Sequence, residues 1–389
     1  MGSTGSIGQS AISVIEYANA NNDQPAYEIE ALAAGSDVET LAAQSRQVGA
    51  RLAVVADEGK LPRLAELLAG TGIEAAGGAQ AVIEAATRPV DRLLAAIVGI
   101  AGLPSTLAAV DAGNSIALAN KESMVCAGPL LKRRAEAAGV DIVPTDSEHN
   151  AMFQVMERRS DVEKLVLTAS GGPFRTTPLE QLSSVTLDMA LAHPRWDMGS
   201  KISIDSATMF NKGLELIEAA YLFDMPEDQI DVVVHPQSII HSLVAYRDGS
   251  VLAQMGEPDM RTPISHALSW PDRRQPAPAK RLDLVALAQL DFENLDTARF
   301  PAIALTRRAI QAGYGAPTVL NCANEGAVAA FLAGQCGFLD ISWVVERALE
   351  QFVSGPSASQ NCDSLEAVMA IEAEATGLTG ALLAETRVS

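Results

Sequence analysis

The stretch Thr145-Asp146-Ser147-Glu148-His149-Asn150 sets two carboxylates two residues apart after a short apolar run, Val140-Asp141-Ile142-Val143. Extended backbone sends alternate side chains to one side, so Asp146 and Glu148 address a single object, and that object is a cation. Closely set carboxylates joined by one more from elsewhere suit a hard divalent ion, Mg²⁺ or Mn²⁺. Glu215 is the best candidate for the third. The same stretch also has the form of a helix start. Thr145-x-x-Glu148 matches a capping box, and Met152, Phe153, Val155 and Met156 follow at helical spacing. On spacing alone the cap is the commoner outcome, and the two roles are compatible.

A second constellation is Asp205-Ser206-Ala207-Thr208-Met209-Phe210-Asn211-Lys212-Gly213-Leu214-Glu215-Leu216-Ile217-Glu218. On a helix Asn211, Glu215 and Glu218 fall one turn apart, so one surface offers Asn211 and Lys212 to a phosphate and Glu215 to a metal. A solvated helix face fits the same pattern. Ser170-Gly171-Gly172-Pro173 is a small, amide-rich turn of the kind that holds a phosphate or a hydroxyl, and also an ordinary turn. In His193-Pro194-Arg195-Trp196-Asp197-Met198-Gly199, the proline and glycine argue against a regular element. A lid over substrate and a Trp196 packed on its own domain fit equally. His235 and His241 lack a third metal ligand and read as structural.

These residues need elements to carry them. The chain opens Met1-Gly2-Ser3-Thr4-Gly5-Ser6-Ile7-Gly8, a glycine run leading into a helical pattern, as in loops that seat a pyrophosphate on a helix N-terminus. Such a loop requires a strand before it, and only Met1 precedes Gly2. Strand-like runs at Tyr27–Ala33, Leu52–Ala56, Leu93–Val98 and Ser115–Ala119 alternate with helical stretches, which predicts a parallel sheet with crossover helices. Asn120-Lys121-Glu122-Ser123 follows the last of these runs, at the edge where open α/β sheets bind ligands. A solvated turn is the plainer reading there. After the second strand, Gly35-Ser36-Asp37 occupies the position that discriminates between cofactors. An Asp there favours a ribose 2′-hydroxyl, hence NAD, although Asp beside Gly is also a common turn residue.

With 389 residues, roughly two to three domains are expected. The 48% hydrophobic, 20% charged composition is that of a globular chain, and a net charge of −20 argues against nucleic acid and anionic lipid as partners. The longest apolar tract, Leu93 to Val110, is broken by Gly99, Gly102 and Pro104 and is too interrupted to cross a membrane. Cys126, Cys322, Cys336 and Cys362 lack CxxC spacing and are expected as buried free thiols in a reducing compartment. Neither a basic n-region nor an apolar h-region opens the chain, so the cytoplasm is expected. Pro301–Ala312, Pro317–Ala333, Ser342–Phe352 and Ser364–Thr376 show helical spacing, beyond a Pro-rich stretch starting at Trp270.

The motifs at 4–8 (ThrGlySerIleGly), 120–123, 146–150, 169–173, 193–196, 205–215 and 235–238 (HisProGlnSer) together resemble the 1-deoxy-D-xylulose 5-phosphate reductoisomerase family, in order and spacing, over essentially the whole chain. The resemblance implies an NADPH-dependent enzyme of the non-mevalonate isoprenoid route that converts 1-deoxy-D-xylulose 5-phosphate into 2-C-methyl-D-erythritol 4-phosphate, working as a homodimer with Mg²⁺ or Mn²⁺. It implies that Asp146, Glu148 and Glu215 ligate the metal. Lys121, Ser147, Glu148, Ser170, His193, Ser206, Asn211, Lys212 and Glu215 face the sugar phosphate, with Ser170, Ser206, Asn211 and Lys212 near its phosphate. Thr4, Gly5, Ser6, Ile7, Gly35, Ser36, Asn120, Glu122 and Gly199 contact the cofactor, and Trp196 belongs to the lid. The fold class expected is α/β: a Rossmann-like domain lacking its first strand (1–145), a central α+β catalytic domain (146–269), a linker (270–296) and a C-terminal helical domain (297–389). Family members usually carry a basic residue and then Asn where this chain has Ser36-Asp37. A sugar-phosphate oxidoreductase of different substrate and a non-catalytic remnant are the alternatives.

Overall fold

A computed structural model describes residues 1–194, 199–272 and 275–386. The chain divides into two compact units. The first comprises Met1–Ser123, Leu131–Phe153 and Asp259–Leu282, and the second comprises Met124–Leu130, Gln154–Pro258 and Asp283–Ser389. This division cuts across the expected boundaries. Residues 259–282 return to the first unit, because the helix Arg261–Ser269 packs Ile264 against Ala11 and Val14 of the helix Ser6–Ala20.

The first unit is built on parallel strands β1 (Ala31–Ala34), β2 (Leu52–Val55), β3 (Glu74–Gly77), β4 (Leu93–Ala95), β5 (Ile116–Leu118) and β6 (Ile142–Pro144). They form two three-stranded sheets, β1-β2-β3 and β4-β5-β6. The central strands read Leu-Ala-Val-Val and Ile-Ala-Leu and are buried throughout, as parallel strands covered on both faces must be. The third strand, Glu-Ala-Ala-Gly, carries no β-branched residue and had no sequence signal. No strand forms before the glycine loop, yet Met1–Ser3 hydrogen-bonds to both sheets. Gly2 and Ser3 donate to the Ala33 carbonyl at 2.8 Å, while the Met1 amine donates to Leu94 and its carbonyl accepts from Ala96. The loop is therefore seated between the two sheets.

The second unit has a five-stranded mixed sheet of β7 (Val162–Ala169), β8 (Ile230–Val234), β9 (Ile240–Tyr246), β10 (Val251–Met255) and β11 (Glu293–Asn294), ordered β10-β9-β7-β8-β11. The segment expected as a linker supplies β11, which pairs with Val233 and Val234. The helices Ala302–Ala312, Ala316–Leu332, Phe338–Ser354 and Leu365–Thr386 fall where the spacing predicts them. The last is long and apolar enough to span a bilayer, with mean hydropathy 1.3, but Val368, Ile371, Ala375, Thr379 and Leu382 bury one of its faces. All four cysteines are free. Cys126 and Cys322 are buried, whereas Cys336 and Cys362 are only partly so.

Candidate active site

In the glycine run, three glycines differ in what they make possible. Gly2 has φ +83°, and a Cβ there would lie 2.4 Å from the Ala96 carbonyl oxygen. A Cβ on Gly8 would lie 2.3 Å from the Ser3 carbonyl oxygen. Both are required by the fold. Gly5 is exposed, and its nearest atom is the Gly2 carbonyl oxygen at 3.6 Å, so packing does not demand a glycine there. It caps the 15-residue helix Ser6–Ala20 without a side-chain hydrogen bond, next to exposed Ser6 and half-buried Thr4 and Ile7. Amides at the start of a long helix with no side-chain cap are an anion site in waiting. Gly35 and Ser36 are exposed beyond β1. The Asp37 carboxylate serves the fold, capping the helix Val38–Val48 by accepting from the Thr40 amide at 3.0 Å. Asp37 thus serves the fold as a helix cap through one carboxylate oxygen, a role that does not decide between NAD and NADP.

Asn120-Lys121-Glu122-Ser123 is not a solvated turn. Asn120 is buried and caps the helix Lys121–Ala138, accepting from the Ser123 amide at 3.0 Å while its own amide donates to the Gly99 carbonyl at 2.9 Å and to Glu122 at 3.0 Å. Capping fixes Lys121 at the helix start, where its ammonium forms an ion pair with Asp146.

The expected capping box does not form. The Thr145 hydroxyl is buried without a hydrogen-bond partner, and the helix Ser147–Val155 begins beyond Asp146, whose carboxylate accepts from the Ser147 amide at 2.9 Å. Glu148 accepts from the Ser147 hydroxyl instead of reaching back to Thr145. The carboxylate pair is thus not committed to a capping box. Behind it Asn150, fully buried, donates to the Pro144 carbonyl at 2.8 Å and meets His266 Nδ1 at 2.9 Å, which pins the strand-to-helix turn.

In the second unit Asn211, Glu215 and Glu218 lie on one helix, Phe210–Leu222, as expected, and a second helix, Ser200–Thr208, precedes it across a break at Met209 with φ 66°. A methionine in the left-handed region gives no warning in sequence. On the second helix Glu215 and Lys212 are buried and ion-paired, and the Asn211 amide also donates to Glu215. This is a buried polar cluster, not a solvated face. Ser170 ends β7. Its hydroxyl accepts from the Gly172 amide at 3.2 Å and meets His193 Nε2 at 3.0 Å, and burial pushes the His193 imidazole below its ordinary value. Gly172 has φ +65°, and a Cβ on it would lie 2.7 Å from the Ser206 carbonyl oxygen, so the Ser170 turn and Ser206 are held in close approach. Gly199 precedes the helix Ser200–Thr208 and Trp196 lies outside the described residues. His235 is structural: Nδ1 donates to the Asp291 carbonyl at 2.8 Å and Nε2 accepts from the Ile239 amide at 3.2 Å, with the ring stacked on Phe292.

Models of 1-deoxy-D-xylulose 5-phosphate reductoisomerase match residues 1–128, of its C-terminal domain residues 142–223, and of the DXP reductoisomerase C-terminal domain residues 255–378. A 1-deoxy-D-xylulose 5-phosphate reductoisomerase of Caulobacter vibrioides is 53% identical over 390 residues, covering 100% of this chain and 96% of that protein. The chain belongs to the 1-deoxy-D-xylulose 5-phosphate reductoisomerase family. The family member of Rhodospirillum centenum is 52% identical, over 100% of this chain and 94% of its own. A reductoisomerase structure from Zymomonas mobilis in complex with NADPH superposes with TM-score 0.90 at 49% identity, covering 98% of this chain and 97% of that one. A DOX-P reductoisomerase in complex with NADPH, fosmidomycin and magnesium gives TM-score 0.93 at 40% identity over 98% and 97% of the two chains.

Proposed function

We propose that this chain carries out the NADPH-dependent and divalent-metal-dependent rearrangement and reduction of 1-deoxy-D-xylulose 5-phosphate to 2-C-methyl-D-erythritol 4-phosphate. Asp146, Glu148 and Glu215 hold the ion. The donor set fits a hard cation, since it is all carboxylate oxygen and the Asp146–Glu148 pair is not drawn into a capping box. A divalent ion bound there supplies Lewis acidity to vicinal substrate oxygens, and NADPH supplies the hydride.

The chain's own residues bind and orient. Lys121, paired with Asp146, sits where it can steady that carboxylate and offer a proton donor to the substrate. Ser170, Ser206, Asn211 and Lys212 take the phosphate, with one ammonium and several neutral donors matching a dianion. Ser147 orients Glu148. His193, kept neutral near pH 7 by burial, is a directional hydrogen-bond partner beside Ser170. The amides from Thr4 to Ile7, with Gly35, Ser36, Asn120, Glu122 and Gly199, receive the cofactor. The reading extends to a homodimer, supported by β10, an edge strand whose Val251 and Leu252 are exposed. Free thiols throughout fit a cytoplasmic enzyme.

The single observation that carries the site assignment is that Asp146 and Glu148, at the start of one helix, bring carboxylate oxygens within 4.8 Å of each other, near enough to share one ion. The test is a steady-state assay following NADPH absorbance. Turnover with 1-deoxy-D-xylulose 5-phosphate that stops on chelation and returns with Mg²⁺ or Mn²⁺ is expected. Turnover only with another ketose phosphate, or undiminished turnover in chelator, would contradict it.

A further inference from the structure

Asp205 lies outside the proposed ligand set, yet it is one of the most deeply buried acids of the second unit. Its carboxylate is 1% exposed and is shared between two partners, the Asn324 amide nitrogen at 2.7 Å and the Lys201 ammonium at 2.7 Å. Asn324 comes from the helix Ala316–Leu332 of the helical bundle, is fully buried, and its amide oxygen accepts no hydrogen bond. The Asn324 side chain thus has one hydrogen bond, the one to Asp205. Desolvating an ion-paired carboxylate together with an amide that makes one contact is a poor way to gain stability, since apolar groups of similar volume pack as well or better. What a buried polar contact supplies instead is one fixed geometry.

The geometry fixed here is that of the neighbouring residue. Ser206 follows Asp205 directly, and its carbonyl oxygen occupies the space that a Cβ on Gly172 would need, 2.7 Å away. Gly172 in turn donates to the Ser170 hydroxyl, which meets His193. The helix Ser200–Thr208 and the Ser170–Gly172 turn are therefore so close that only a glycine fits between them, and a shift of the helix reaches Ser170 and His193. With one carboxylate oxygen hydrogen-bonded to Asn324 and the other ion-paired with Lys201, Asp205 is not itself presented to a ligand.

We propose that Asp205, held by Asn324, is a positioning residue for the substrate-phosphate side of the site: it locks Ser206 against the Ser170–Gly172 turn from the bundle behind. The inference rests on the reading of Ser170 and Ser206 as phosphate ligands, and its scope is the binding of the sugar phosphate, not hydride delivery or metal binding.

The test uses the full chain with Asn324→Ala and Asp205→Ala, singly and together. Each single variant raises KM for 1-deoxy-D-xylulose 5-phosphate about tenfold, changes kcat by less than about threefold, and leaves KM for NADPH unchanged. The double variant is no worse than the worse single one, because both remove the same contact. Amide hydrogen exchange without substrate is faster at Gly172 and Ser206 in both variants. Should either fail to fold, Lys201→Met removes the partly exposed partner and raises the same Michaelis constant by a smaller factor. Equal rises in both Michaelis constants, or unchanged exchange at both amides, would overturn the proposal. Absence of turnover in the unaltered enzyme would count against the functional reading alone, because the exchange measurement needs no substrate.

Discussion

At the residue scale, Asp146 and His193 make separable predictions. Asp146→Asn keeps the size of the side chain and an oxygen to accept from the Ser147 amide, while removing the charge that pairs with Lys121 and that the proposed metal site requires. Turnover is expected to fall by about a thousandfold or more, as when a group acting on the transition state is lost, with NADPH affinity within about twofold by calorimetry. A parallel loss of NADPH affinity would move Asp146 out of the metal role. His193 bears on stability. Burial lowers its pKa in the fold, so below an unfolded value of about 6.5 the unfolded chain binds the extra proton and the folded chain does not. The contribution of neutral His193 is complete above that value and is lost as pH falls through it towards the lower folded pKa. His193→Gln, which cannot titrate, should flatten the dependence of Tm on pH between about 7 and 5. An unchanged slope would mean that the imidazole is not held neutral.

At the scale of elements, the helix Phe210–Leu222 bears Lys212 and Glu215, and Gly213 between them decides how closely it packs. A Cβ at Gly213 would lie 2.4 Å from the Thr306 hydroxyl oxygen on the helix Ala302–Ala312. Thr306 is fully buried and β-branched, so it cannot turn aside, and its hydroxyl has no hydrogen-bond partner to lose. Gly213→Ala should destabilise the chain by ~1–3 kcal/mol through overpacking, despite the better helix propensity of alanine. Adding Thr306→Ala should restore most of the loss in urea unfolding; no recovery would place the constraint elsewhere. Much at this scale was legible beforehand. The alternation of apolar runs and helical stretches marked five of the first unit's strands, and the helical spacing marked the last four helices. The break at Met209, the strand Glu74–Gly77 and the return of residues 259–282 were not legible, because a left-handed methionine, an Ala/Gly strand and a long-range packing partner leave no local pattern.

For the whole molecule, the sequence conveyed the functional motifs better than their physical settings. Thr145-x-x-Glu148 has the letters of a capping box and not its hydrogen bonds, and Asn120–Ser123 looked solvated yet caps a helix from a buried position. Spacing reports which residues share a face; it does not report which hydrogen bonds the backbone has already claimed. Asp37 illustrates the converse, a residue suggested for cofactor choice that serves the fold as a helix cap. The assembly also makes a prediction at this scale. With β10 presenting Val251 and Leu252 on an open edge, sedimentation should find a dimer, and Leu252→Lys should shift it towards monomer without unfolding it. A monomer in the unaltered chain would remove the dimer from the reading.

The most direct measurement is a Mn²⁺ titration followed by electron paramagnetic resonance, which counts bound ions without reference to activity, on the unaltered chain and on Asp146→Asn, Glu148→Gln and Glu215→Gln. One ion per chain is predicted, with affinity weakened about tenfold or more by each substitution. Binding of the same ion with unchanged affinity in any one of the three variants would contradict the account.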